Sequence, residues 1–165
     1  MVMLAYLDTR SSKMNTIQDR LVIIDTVNAI FIGTDTHNWQ LVHNAFSSEV
    51  FLDYSSMGAE AATLSSDTVI SSWQGILPGF DVTQHSISNH VVTLKGDEAN
   101  CFSYGTALHY LPDDDGDVWR VVGHYDHHLI RTEASWRVDK MIFTLKFIDG
   151  NSGLAALAQE RVKRA

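Results

Sequence analysis

Apolar residues early in the chain recur at helical spacing. Ile17, Leu21, Ile24, Asn28 (beside Val27), Phe31 and Asp35 fall four, three, four, three and four positions apart, which puts them on one face of a helix over residues 16–36. Thr36-His37-Asn38 breaks the pattern, and Asn38 suits the N-cap of a second, short helix from Trp39 to Phe46. Glu49–Tyr54 alternates as a strand and Ser55–Ser66 reads as a small, polar loop. A helix over Asp67–Leu77 turns Val69, Ile70 and Trp73 inward and stops at Pro78-Gly79. Beyond that the period falls to two. Thr83–Leu94, Glu98–Leu111, Val118–Thr132 and Ser135–Ile148 read as long strands joined by the turn signals Lys95-Gly96-Asp97, Pro112–Asp117 and Glu133-Ala134.

Helices first and a meander after them predict an α+β fold, with three N-terminal helices on a strongly curved, mostly antiparallel sheet. Such a sheet wraps into a cone-shaped α+β barrel whose open end is a small-molecule pocket. Residues 1–15 are expected to form an N-terminal arm, 16–150 the domain and 151–165 a C-terminal helix or tail.

Composition narrows the possible partners. The chain has 165 residues, 45% apolar and 19% charged, which suits one globular domain. A net charge of −8 argues against nucleic acid or an anionic membrane as partner. No apolar run approaches the roughly 20 residues of a membrane span. The opening residues lack the basic region of a signal peptide, and the single cysteine, Cys101, allows no intrachain disulfide or thiolate metal cluster. A cytoplasmic location is expected.

Three residues stand out chemically. Asp35 continues the inner face of the first helix where an apolar residue would be expected; either it is buried and needs a donor, or the helix has ended and it is solvated. His85 lies at the start of a strand, on the face shared by Thr83, Ile87, Asn89 and Val91. A carboxylate accepting from one imidazole nitrogen would free the other as a base; a backbone group would satisfy the ring equally well. Tyr54 ends the first strand, with its hydroxyl either in water or aimed at a substrate carbonyl. Alternation puts His90 on the opposite, outer face from His85.

In Gly123–His128, the residues His124, Asp126 and His128 share one strand face and Tyr125 and His127 the other. The first set has metal-ligand chemistry, but a solvated or interface face is the simpler reading, and no metal is assigned. Asp113–Asp117 fails the register of a calcium loop. Hydrolase, zinc-protease and nucleotide signatures are missing from the sequence, so no cofactor is assigned.

In order and content, Arg20-Leu21, Asp35, Asn38-Trp39, Leu41, Phe46, Phe51–Tyr54, Thr83-Gln84-His85, Tyr125-Asp126, Arg131-Thr132 and Trp136-Arg137-Val138 resemble a SnoaL-like domain of the nuclear transport factor 2-like superfamily. That group includes polyketide cyclases, scytalone dehydratase and bile-acid 7α-dehydratase. The resemblance runs from about Thr16 to Ile148 and implies a cone with a hydrophobic pocket between helices and sheet. It implies an acid–base pair of Asp35 and His85, with Tyr54 polarising a substrate carbonyl. Asn89, Phe31, Trp73, Ser103, Tyr104, Tyr125 and His127 are the expected substrate contacts.

The surround departs from the named dehydratases. They carry a tyrosine near the end of the first helix, where this chain has Ile30, Phe31 and Thr34. Scytalone dehydratase has a second active-site histidine on the strand equivalent to Glu98–Leu111, where Ser103 and Tyr104 are the nearest candidates. The expected function is a cofactor-free lyase or isomerase on an apolar carbonyl compound of polyketide, steroid or aromatic type. The alternative is a non-catalytic ligand-binding or assembly domain. Self-association as a homodimer or homotrimer is expected through the outer sheet face, with Trp119, His124 and His128 as candidate contacts.

Overall fold

The structure, a computed structural model, describes the backbone of residues 2–165 and the side chains of residues 16–165. The arm expected over residues 1–15 falls outside the residues whose side chains are described. Three helices, α1 (Val2–Asp35), α2 (Trp39–Ala45) and α3 (Ser66–Gln74), pack on one face of a six-stranded sheet. The strands are β1 (Phe46–Asp53), β2 (Ala62–Ser65), β3 (Val82–Lys95), β4 (Glu98–Tyr110), β5 (Val118–Arg131) and β6 (Trp136–Gly150), in the order β2-β1-β6-β5-β4-β3. Only β1 and β6 run parallel. A fourth helix, α4 (Leu154–Arg164), buries Leu154 and Ala158 against Phe80 and Leu111.

Strand β2 occupies part of the expected loop. It is a four-residue edge strand paired with Glu49–Leu52, too short for alternation to mark it.

The buried stripe of α1 is Ile23, Val27, Ile30 and Thr34, one position away from the predicted face. Ile17 and Leu21 are exposed, at 62% and 59%. The chain carries apolar doublets at Ile23-Ile24 and Ile30-Phe31, so helical period alone supports either stripe. Phe31 is buried, while Asp35 sits at the margin of the stripe, half-buried, where α1 meets β3.

The end of α1 is set by its cap. His37 takes a left-handed φ of 53°, the Asn38 N–H donates to the Gly33 carbonyl and the His37 N–H to the Thr34 carbonyl. This is a Schellman turn with histidine in the position glycine usually fills. Asn38 then caps α2 by accepting from the Leu41 N–H at 3.2 Å. Asp35 is thereby fixed in the last turn of α1.

β3 is bent by a bulge. It pairs with β4 from Val82↔Tyr110 to Ser88↔Tyr104 and resumes at Val91↔Phe102, with Asn89 between them at a φ of 58°. The extra residue reverses the alternation. Thr83, His85 and Ile87 face the helices before the bulge, and Val92 and Leu94 face them after it, so Asn89 and Val91 are exposed. Asn89 is therefore not a pocket residue, and His90 is half-buried with its Nε2 sealed from solvent, not on the surface. Asparagine tolerates a left-handed backbone and β-branched residues do not. Asn89→Val is expected to cost about 1–3 kcal/mol in urea unfolding, with Asn89→Gly close to native.

Candidate active site

Asp35 and His85 meet where the C-terminal end of α1 crosses the free edge of β3. The His85 backbone N–H donates to Asp35 Oδ2 at 2.6 Å, and the His85 Nδ1–H donates to Asp35 Oδ1 at 2.7 Å. One carboxylate thus satisfies an unpaired edge amide and holds the ring of the same residue. Accepting that N–H fixes the neutral ring in the Nδ1–H tautomer and leaves the Nε2 lone pair free. A carboxylate in the last turn of a helix faces the negative end of the helix dipole, so the site itself disfavours its charge. Burial pushes the same way. The His85 ring bond, its charge and its backbone N–H outweigh both, with a smaller contribution from the nearby Thr83 hydroxyl, and hold the carboxyl below its ordinary value. The Thr83 hydroxyl makes no well-formed hydrogen bond, so the two His85 contacts carry the effect.

His85 opens into a cavity of about 310 Å³ between the helices and the concave sheet face. Ile30, Phe31 and Thr34 of α1, Tyr54 after β1, Trp73 of α3, and Tyr125 of β5 contribute to its lining, which is predominantly apolar and, among the described residues, includes no lysine, arginine or acidic residue. Burial pushes the Tyr54 phenol well above its ordinary value, so it is a hydrogen-bond donor at neutral pH. Tyr125 is raised as well, first by burial and then by Tyr54 beside it.

Four expected contacts lie elsewhere. Asn89 is outside because of the bulge. Tyr104 is on the outer face, 43% exposed, with the Lys146 ammonium over its ring at 4.2 Å. Ser103 and His127 face inward but are sealed in the core behind the pocket. Phe31 and Tyr125 pack against His127, with ring centroids 6.1 and 5.5 Å away.

The histidine missed by the sequence analysis is His109. It lines the cavity from β4, with its ring centroid 5.9 Å from that of His85. Its Nδ1–H donates to the Trp119 carbonyl at 3.3 Å, which leaves Nε2 as an acceptor. Trp119, expected on the outer face, instead stacks on His109 at 4.5 Å and lines the pocket. A signal was available. The inward positions of β4 are Ala99, Cys101, Ser103, Gly105, Ala107 and His109, five small residues that hollow the sheet before one large ring.

His124, Asp126 and His128 do lie together on the outer face. There His128 Nδ1 bonds Asp139 at 2.7 Å and His124 Nε2 sits 3.7 Å from Asp126. Among the described residues no group of three or more His, Cys, Asp or Glu is arranged to hold a metal. No helix of the described residues is long and apolar enough to cross a membrane.

This arrangement can be set beside known proteins. The family model for the SnoaL-like domain matches residues 15–142. The chain belongs to the SnoaL-like domain family. Among solved structures, this SnoaL-like chain is similar to the Kfla4162 protein of Kribbella flavida, with 27% identity, a TM-score of 0.81, and 86% of this chain and 99% of that one covered. A proposed scytalone dehydratase of Novosphingobium aromaticivorans follows at 17% identity and TM-score 0.73, covering 85% of this chain and 91% of that one. The hexachlorocyclohexane dehydrochlorinase LinA-type3 of Novosphingobium barchaimii has 13% identity and TM-score 0.72, covering 86% of this chain and 95% of that one. These neighbours carry the cone fold expected from the sequence. No curated protein matches the chain.

The buried imidazoles make stability depend on pH. Burial pushes His109 down to about 4 and His127 down to about 3. Neither His127 nitrogen makes a well-formed hydrogen bond, and the nearby Cys101 backbone opposes the shift only weakly. Both folded values lie below the unfolded value of about 6.5, so as pH falls the unfolded chain takes up protons that the folded chain refuses. Stability is therefore lost from about pH 6.5 downward, by about 1.4 kcal/mol per pH unit for each ring until its folded value is reached. Melting curves between pH 7 and 4 should show this fall, and His127→Leu should flatten it by roughly half. A native melting temperature constant from pH 6.5 to 4.5 would contradict it.

Proposed function

We propose that this pocket carries out proton-transfer chemistry on a neutral, largely apolar carbonyl compound, as a cofactor-independent dehydratase or isomerase. The observation that carries the reading is the two-point grip of Asp35 on His85 at the edge of a largely apolar cavity. A surface histidine needs no half-buried carboxylate, and a purely structural one does not turn a ring nitrogen toward an apolar pocket. The relation to dehydratase-type proteins supports the same reaction class.

His85 Nε2 takes the proton from the carbon α to the carbonyl, and the C–H electron pair passes into the enolate. Tyr54 donates its hydroxyl to the oxygen where charge develops. The imidazolium that forms stays against the Asp35 carboxylate, which compensates it. If the β carbon bears a hydroxyl, the enolate electrons return to form the C=C bond, the C–O bond breaks, and His85 gives its proton to the leaving group as water. If not, the same proton is returned at another carbon and the reaction is an isomerisation. His109, neutral above about pH 4, offers its bare Nε2 to a substrate hydroxyl and orients it beside His85.

Substrate charge follows from the walls. Among the described residues the lining holds no cation to receive a carboxylate or phosphate, and Asp35 lies just behind it. A carboxylate or phosphate would be desolvated there with no cation to compensate it.

The test is turnover of cyclic β-hydroxy ketones, followed by the absorbance of the conjugated enone. His85→Ala and Asp35→Asn should each lower kcat by about 10²–10⁴ while circular dichroism and the melting profile remain those of a folded protein. Turnover within a few-fold of native in folded His85→Ala would contradict the mechanism.

A further inference from the structure

Tyr54 and Tyr125 reach the pocket from opposite directions, one from the end of β1 and one from the middle of β5. Their side chains lie against each other, and both pack on Phe143, with ring centroids 5.7 Å from Tyr54 and 4.7 Å from Tyr125. Apart from one another, the two phenols have no hydrogen-bond partner among the described residues. A pair of phenols can make one bond between themselves, which leaves at least one O–H free to donate into the pocket. An oxygen set between them would receive both.

The sheet beneath is shaped for this. Gly105 of β4 and Gly123 of β5 are directly opposite in the register. A Cβ on Gly105 would lie 2.5 Å from Tyr125 Cε2, and one on Gly123 would lie 2.4 Å from Phe143 Cζ. The paired glycines remove two neighbouring side chains from the concave face, and the two rings occupy that space. Phe31 holds Tyr125 from the helix side, centroids 4.9 Å apart.

We propose that Tyr125 is a second hydroxyl donor of the site, binding with Tyr54 the carbonyl oxygen on which charge develops, and that Gly105 is what lets it lie there. The proposal deepens the reading above and rests on it, since it assumes that a carbonyl compound occupies the pocket. Burial of both phenols supports it by keeping them protonated when an oxyanion is present.

A planar phenolate mimics the enolate and can be followed without turnover. 4-Nitrophenol is the probe, with its ionised form read from visible absorbance, and 4-nitrotoluene is the isostere that cannot be ionised. The native protein should bind nitrophenolate in preference to nitrotoluene. Tyr125→Phe should lose about 10–100-fold of nitrophenolate affinity, as Tyr54→Phe does, with nitrotoluene binding unchanged in both. Gly105→Ala, which keeps the hydroxyl and displaces the ring, should shift the ratio in the same direction; should it not fold, the two phenylalanine variants still decide. Unchanged nitrophenolate affinity in Tyr125→Phe, or no preference for nitrophenolate in the native protein, overturns the proposal. His85→Ala separates the two claims. It abolishes turnover if His85 is the base, whereas the effect of Tyr125→Phe on probe binding is read in the native background and does not depend on that result.

Discussion

The bond pair between Asp35 and His85 joins two parts of the fold that otherwise have separate reasons to exist. α1 ends where it does because His37 and Asn38 terminate it, and β3 begins an edge whose amides lack a strand partner. The carboxylate placed at the helix end accepts the edge amide and the ring of one residue together. Removing it would leave a part-buried amide unsatisfied and an imidazole free to turn. The site is therefore held by the same contact that seals the helix against the sheet. A more distant bond does similar work along this edge, where the Arg20 guanidinium meets the Val92 carbonyl.

The cavity is made by subtraction. Alanines, a serine, a cysteine and a glycine along the inner face of β4, with Gly123 opposite Gly105, hollow the middle of the sheet. Aromatic rings from β5 and β6 and the end of α1 then define the walls. His109, Trp119 and Phe80 stack at one side of that hollow. Their packing fixes the His109 ring by contact as well as by its single bond to a backbone carbonyl. The result is a largely apolar space with a few hydrogen-bonding groups at its margins, in which each such group counts for more than it would in water.

Much of this could be read along the chain, for reasons that also explain what could not. Asp35 and His85 were legible because an ionisable group on an otherwise apolar stripe is a conspicuous break in a period. The order of elements was legible because the change from period 3.6 to period 2 is abrupt after Pro78-Gly79. The buried stripe of α1 was read one position off, because adjacent apolar doublets support two registers equally. Asn89 was assigned inward because strict alternation cannot anticipate a bulge, and a bulge inverts every residue beyond it. His109 was missed because histidine near a strand end looks like surface chemistry unless the small residues before it are read as a hollow. Tyr104 and Ser103 were chosen in its place from resemblance, and the alternation of β4 shows why they fall short: Tyr104 faces outward, and Ser103 is sealed in the core opposite Tyr125 on β5.

The central claim is that Asp35 holds the neutral His85 ring with Nδ1 protonated and Nε2 bare. Nitrogen-15 NMR of the histidine side chains reports this directly, because the two ring nitrogens resonate far apart when one is protonated and the other is not. At a pH where the ring is neutral, the account predicts a protonated Nδ1 with a strongly deshielded proton and a bare Nε2 at His85. It also predicts loss of that fixed pattern in Asp35→Ala. A protonated Nε2 in the native protein, or the same spectrum with and without the Asp35 carboxylate, would contradict it.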